Sequence, residues 1–238
     1  MKTSNRIILI TVIFILLITV ILFVGTWLFI SYHNSGFVKS PAESSEIITK
    51  NFNLKDFNAL NISGFYRLEI SHNNAYKIEL SAPGYLINHI NIIKSENKLY
   101  VKQLYYADML PVSAKVRIFM PELTGIKTRG NNKILFSGFT LKNLKFELFG
   151  STKITGRDST IKNLEIIGSG LVKTDLVSCS VKNANLNLSG TGIADLNMSG
   201  GVLSGTVNGT YKINYRGKVI RQDIITSGSV KVEKNDSL

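Results

Sequence analysis

The chain begins with a long apolar run and then changes to regular alternation of apolar and polar residues. The run covers residues 7–30, which carry no charge and whose only polar members are three threonines. At about 1.5 Å per residue a helix of this length measures about 36 Å, enough to cross a hydrocarbon core of about 30 Å with some tilt. The pattern therefore predicts a transmembrane helix.

The charges around this run predict its orientation. Lys2 and Arg6 precede it, and no cation follows before Lys39. Because cations accumulate on the cytoplasmic side, we expect residues 1–6 in the cytoplasm and the chain after a polar tether at 31–45 outside. The alternative is a cleaved signal peptide, but its apolar region should measure only about 7–15 residues and end in small residues.

Residues 46–122 alternate with a period of two, as in Tyr66-Arg-Leu-Glu-Ile70. Such alternation is typical of strands with one buried and one solvated face, and antiparallel sheets commonly have this arrangement. Gly64 and Pro83-Gly84 supply turn signals between the segments. We therefore expect an antiparallel β lobe over 46–122.

Residues 123–234 contain an internal repeat. Its markers are glycines spaced by 20 and then by 19 residues, at Gly130, Gly150, Gly170, Gly190, Gly209 and Gly228. Glycine allows the positive φ that tight corners need, and a unit of this length without helical periodicity fits one coil of a β-solenoid. We therefore predict an all-β exported part, in which a right-handed, β-helix-like solenoid of about five to six coils follows the lobe and precedes a tail at 235–238.

A second series at the same spacing supports this interpretation. Asn143, Asn163 and Asn183 share one phase of the repeat. In stacked coils they would form an amide ladder of the kind that stabilises cross-β stacks. A leucine-rich repeat has a similar period, but its consensus is absent.

Composition argues against most chemistry. The 238 residues include three His and a single cysteine, Cys179, which excludes an intrachain disulfide scaffold and any multi-cysteine zinc site. We expect no catalytic residue, no metal site and no cofactor, and we interpret Cys179 as a buried, unreactive thiol. Asp175 and Asp195 lie 20 residues apart. A facing pair of carboxylates there would support glycoside hydrolysis, and two solvated side chains beside a turn are the alternative.

The net charge of +12 is partly organised by the repeat. Two sets of lysines each share one phase, and Arg129 lies near the start of the first set. The first set is Lys133, Lys153 and Lys173; the second is Lys142, Lys162 and Lys182. Stacking brings like charges to about 5 Å, which is destabilising unless an anion binds. These residues are candidates for binding anionic polysaccharide, and the alternative is a solvated face that prevents lateral sheet pairing.

Several segments together resemble the head GIN domain family of putative auto-transporter adhesins. They include Ile62-Ser-Gly-Phe-Tyr-Arg-Leu-Glu-Ile70, a Met120-Pro-Glu-Leu123 junction, Leu188-Ser-Gly-Thr-Gly192 and Ile213-Asn-Tyr-Arg-Gly217. The resemblance extends over about residues 47–232. It implies a bacterial envelope protein with a pectin-lyase-like β-helical shape, no recognised catalytic residues and a role in adhesion.

These observations lead to one expectation and two alternatives. We expect a single-pass, non-enzymatic binding module of the bacterial cell envelope, an adhesin that contacts glycans or other anionic polymers, with its C-terminal part periplasmic or extracellular. The partners are then the membrane, an anionic surface polymer and, because solenoid ends expose strand edges, a second copy of the chain. Nucleic acid is not an expected partner, given the predicted export. A carbohydrate-active enzyme on a β-helix and an envelope-stress or signalling accessory protein are the alternatives.

Overall fold

The computed structural model describes residues 13, 16–27, 46–104 and 113–236. The predicted cytoplasmic segment 1–6 and the predicted tether at 31–45 lie outside these ranges. The chain divides into two compact units, Met1–Ser45 and Glu46–Leu238.

In the first unit, residues 16–27 of the predicted membrane span are helical. Their large apolar side chains are exposed, and the hydroxyls of Thr19 and Thr26 donate hydrogen bonds to carbonyls one turn earlier in the helix. Within the described ranges, no helix combines the length and apolar character that crossing a bilayer requires.

The second unit is all-β, as predicted, apart from a one-turn helix at Gly84–Ile87. Its strands are β1 (Ile47–Phe52), β2 (Ala59–His72), β3 (Lys77–Pro83), β4 (Ile90–Ser95), β5 (Lys98–Gln103), β6 (Ala114–Met120), β7 (Gly125–Ser137) and β8 (Thr140–Lys234). The last of these is a 95-residue β segment that contains most of the sequence repeat.

The expectation of an antiparallel lobe was wrong for its central strand. β1–β3, β3–β6 and β4–β5 are antiparallel, but β2 pairs in parallel with β5, β6 and β7. Gly64 lies inside β2 with a φ of +139° and ends no strand. Alternation reports which face of a strand is buried, but it does not report the direction of the neighbouring strand, and this is why the sequence pattern misled.

Glycines form a continuous column along the repeats. In the parallel register Gly64 lies opposite Gly130, and Gly130 lies opposite Gly150. A Cβ on Gly150 would lie 2.5 Å from the Gly130 carbonyl oxygen, and one on Gly170 would lie 2.4 Å from that of Gly150. The same close approach links Gly190 to Gly170, Gly209 to Gly190 and Gly228 to Gly209. All six glycines singled out in the sequence have φ between +89° and +110°. Backbones approach at this column too closely for any side chain.

The interior is built from the apolar positions that alternate with the outward-facing ones. Phe136 and Phe146 meet edge to face with centroids 5.8 Å apart, and both are fully buried. The buried hydroxyls of Thr128 and Thr152 lie 3.0 Å apart and satisfy one another. Outside, the predicted amide ladder is confirmed, because Asn163 and Asn183 each donate a 2.9 Å hydrogen bond to the asparagine 20 residues earlier.

Candidate functional site

A shallow groove of about 290 Å³ crosses β2, β7 and the start of β8. Four of its lining residues are cations: Arg67, Lys133, Lys153 and Arg157. Arg67 lies opposite Lys133 in the register of β2 and β7, and Lys133 lies opposite Lys153 in that of β7 and β8. Adjacent strands are about 4.8 Å apart, so three positive side chains form one row across the sheet. We call these four residues the cation groove.

Local sequence explains the row. Each of Arg67, Lys133 and Lys153 comes three residues after a glycine of the column, which fixes its phase in the repeat. Each is followed by a buried aliphatic side chain, so the cation itself must point outward from its strand. The glycine column thus sets the register that places the charges side by side.

The charges of the cation groove are not compensated inside the chain. Among the residues described by the structure, none of its four cations takes part in an ion pair. Glu69 also lines the groove, but its carboxylate lies 2.7 Å from Lys115 and 3.3 Å from Arg117. The hydrogen bond from Lys115, with further help from Arg117, lowers the pKa of Glu69 despite some desolvation. Its negative charge is therefore engaged on the side of β6.

Other cations of the repeat region differ in this respect. Lys127 lies 3.5 Å from Glu147, and Lys145 lies 3.1 Å from Glu165. Further along the phase of the row, Lys212 and Lys231 both contact Glu233. The chain therefore places acids beside cations at several repeat positions, and it places none beside those of the cation groove.

The structure brings together only part of the predicted set. Lys173 is exposed at the next position of the row, but it does not line the groove. Arg129 is exposed on β7 opposite Phe149 and also lies outside the groove. The second lysine set, Lys142, Lys162 and Lys182, is exposed next to the asparagine ladder and does not line the groove either.

Two groove residues were missed in the sequence. Arg67 could have been found, because it follows Gly64 by three residues, as Lys133 follows Gly130. Arg157 lies opposite Ser137, so its position carries no repeated residue type that would have drawn attention to it.

The candidate acids and the cysteine have local roles. Asp195 accepts a 2.6 Å hydrogen bond from the Asn214 amide, and Asp175 accepts one from the Val177 backbone N–H. The expectation for Cys179 holds, since the thiol is buried and desolvation, with smaller contributions from nearby carboxylates, raises its pKa to about 11. In the part of the chain that the structure describes, no three His, Cys, Asp or Glu side chains are grouped so that they could hold a metal ion.

Comparison with solved structures shows the fold. A crystal structure of a putative adhesin from Bacteroides fragilis matches with a TM-score of 0.64 at 15% identity, covering 81% of this chain and 98% of that one. A crystal structure of a putative lipid binding protein from Parabacteroides distasonis matches with a TM-score of 0.51, also at 15% identity, covering 79% of this chain and 97% of that one. No curated protein sequence matches the chain.

The family assignment comes from the sequence itself. The model of the family described as "Putative auto-transporter adhesin, head GIN domain" matches residues 56–237, which is most of the chain and includes the cation groove and the glycine column. The resemblance found in the sequence is thereby confirmed. The chain belongs to the head GIN domain family of putative auto-transporter adhesins.

Proposed function

We propose that this protein is a non-enzymatic binding module of the bacterial cell surface that holds anionic polymers, such as acidic polysaccharides, along the cation groove. The observation that carries the proposal is the row Arg67, Lys133 and Lys153, with Arg157 beside it and no acid paired to any of the four. A row of uncompensated cations about 4.8 Å apart is costly to the fold, and bound anionic groups would relieve the repulsion. Membership in a family of putative adhesins supports the surface role.

The architecture that we propose for the exported part is the right-handed β-solenoid. Three observations support it: the parallel register of β7 and β8 at an offset of 20 residues, the glycine column and the asparagine ladder. Repetition on one face would present the polymer with successive equivalent contacts. Each contact with an exposed cation is weak and screened by salt, so affinity would come from several contacts made at once.

The attachment that we propose is a single-pass anchor at residues 7–30 with a cytoplasmic N-terminus. The uncharged apolar sequence and the helical, exposed residues 16–27 support it. In this arrangement the anchor holds the binding domain near the membrane, on its periplasmic or extracellular side.

The test uses two triple variants that each remove three positive charges. One carries Arg67→Gln, Lys133→Gln and Lys153→Gln; its matched control carries Lys142→Gln, Lys162→Gln and Lys182→Gln. Both are applied to immobilised heparin and eluted with a salt gradient. We expect the groove variant to elute at clearly lower salt than the control, because exposed charges off the binding surface contribute little beyond the Debye length of about 10 Å at 0.1 M salt.

Two results would contradict the proposal. Equal elution of the two variants would mean that only net charge matters. Binding of the parent chain to vesicles with anionic headgroups, without binding to heparin or another acidic polysaccharide, would make the ligand a lipid surface.

A further inference from the structure

The last repeat, residues 217–234, is the least covered part of the sheet. It lies on the preceding repeat, because a Cβ on Gly228 would lie 2.5 Å from the Gly209 carbonyl oxygen. Its apolar side chains are nevertheless open: Ile220 is 70% exposed and Ile225 is 71% exposed, while Ile224 and Val219 are only partly buried. Within the described ranges, no further repeat packs on its outer side. We call residues 217–234 the terminal repeat.

The sequence of the terminal repeat has an inverted symmetry. Residues 219–225 read Val-Ile-Arg-Gln-Asp-Ile-Ile, and Gln222 is the centre. When two copies of this segment pair in antiparallel fashion about a two-fold axis at Gln222, each Arg221 lies opposite Asp223 of the other copy. In the same register Ile220 lies opposite Ile224, and Val219 lies opposite Ile225.

This register makes every cross-strand pair favourable. Directly opposed residues of opposite charge and directly opposed β-branched residues each stabilise a sheet, whereas like charges opposite one another destabilise it. Arg221 and Asp223 already contact one another within the chain at 2.6 Å, so the two copies would form an alternating cluster of four charges. A shift by one residue in either copy would destroy both the charge pairing and the apolar pairing.

The opposite side of the repeat carries a second pattern of the same kind. Lys231 and Glu233 flank Val232 and form an ion pair of 2.5 Å. Val232 lies ten residues after Gln222, which is half of a repeat. A two-fold axis that passes through a coil of about 20 residues meets it at two such points, so one axis accommodates both patterns.

We propose that the protein forms a two-fold symmetric dimer in which the terminal repeats of two copies pair in antiparallel fashion, centred on Gln222. The contact is isologous, as in most two-fold dimers, and it covers an open strand edge. Ile220 and Ile224 of both copies would then pack into one continuous interior. This inference rests on the proposed solenoid architecture and is independent of the cation groove.

Disulfide trapping tests this geometry in the full-length chain in detergent. In the proposed register Gln222 lies opposite itself, and opposed residues of antiparallel strands have Cα atoms about 4.5–5.5 Å apart, a separation that a disulfide spans. Gln222→Cys should therefore give a disulfide-linked dimer under mild oxidation. Thr226→Cys is the matched control, because its two copies would be about 26 Å apart. The parent chain, whose Cys179 is buried, supplies the blank.

Charge exchange provides the second measurement. Arg221→Asp places like charges opposite one another and should shift the full-length chain from dimer to monomer in sedimentation velocity. Adding Asp223→Arg to the same chain restores the opposed pairs and should restore the dimer. A monomeric parent chain, equal trapping of Gln222→Cys and Thr226→Cys, or no trapping of Gln222→Cys would each overturn the proposal. A heparin result of either kind leaves this outcome unchanged, so the two proposals fail separately.

Discussion

The glycine column gives the sharpest prediction about stability, and Gly150→Ala is its test. Gly150 has a φ of +99°, and an added Cβ would lie 2.5 Å from the Gly130 carbonyl oxygen. Gly200 is the matched control, because its φ is +96° but its added Cβ meets only the Lys218 side chain, at 3.9 Å. The two alanine variants therefore share the conformational strain and differ in the clash.

The two terms can be estimated separately. A positive φ costs an alanine about 1–2 kcal/mol, and the loss of glycine freedom in the unfolded chain returns about 0.4–1 kcal/mol. Gly200→Ala should therefore lower the free energy of unfolding by about 1 kcal/mol or less. At Gly150 the strands must also separate, which weakens one or two backbone hydrogen bonds worth about 0.5–1.5 kcal/mol each. We expect Gly150→Ala to cost about 2 kcal/mol more than Gly200→Ala.

Urea unfolding followed by circular dichroism measures this difference. For a domain of this size, about 2 kcal/mol also corresponds to a difference of about 4–8 °C in Tm. Equal stability of the two variants would refute the reasoning, because it would mean that the backbones at the column are free to separate at no cost.

Two further predictions concern the interior and the ladder. The Cys179 thiol, whose pKa burial raises to about 11, should react far more slowly with a disulfide reagent at pH 8 in the folded chain than in urea; equal rates would mean that the thiol is accessible. Asn163→Ala removes one hydrogen bond to Asn143 and one from Asn183, and should lower the free energy of unfolding by about 1–2 kcal/mol, whereas Asn185→Ala, outside the ladder, should have little effect in the same urea titration.

The repeat could be predicted from the sequence because its geometry leaves residue types at fixed phase. Gly130 and Gly150 are excluded from being anything else by the carbonyl of the previous repeat, and Asn143 and Asn163 hydrogen bond to one another. Each such constraint is local to one pair of repeats, so it is legible without the fold. The same phase placed Lys133 and Lys153 side by side correctly.

The part that escaped prediction depends on contacts between distant segments. Gly64 pairs with Gly130 across 66 residues, and β3 to β6 lie in between, so the first member of the column carries no fixed interval. For this reason Gly64 was interpreted as a turn and Arg67 was not included in the row. The absence of compensating acids also depends on tertiary structure, since Glu69 is drawn to Lys115 and Arg117 on the neighbouring strand β6.

The central claim is that a polyanion binds at the cation groove, and lysine labelling tests it most directly. The folded chain is treated with an amine-reactive reagent with and without heparin, and labelling is read at each lysine by mass spectrometry. We predict that heparin slows labelling of Lys133 and Lys153 several-fold more than labelling of Lys142 and Lys162, which are equally classed as exposed and serve as controls in the same molecule. Equal protection of the four lysines, or none at Lys133 and Lys153, would contradict the account.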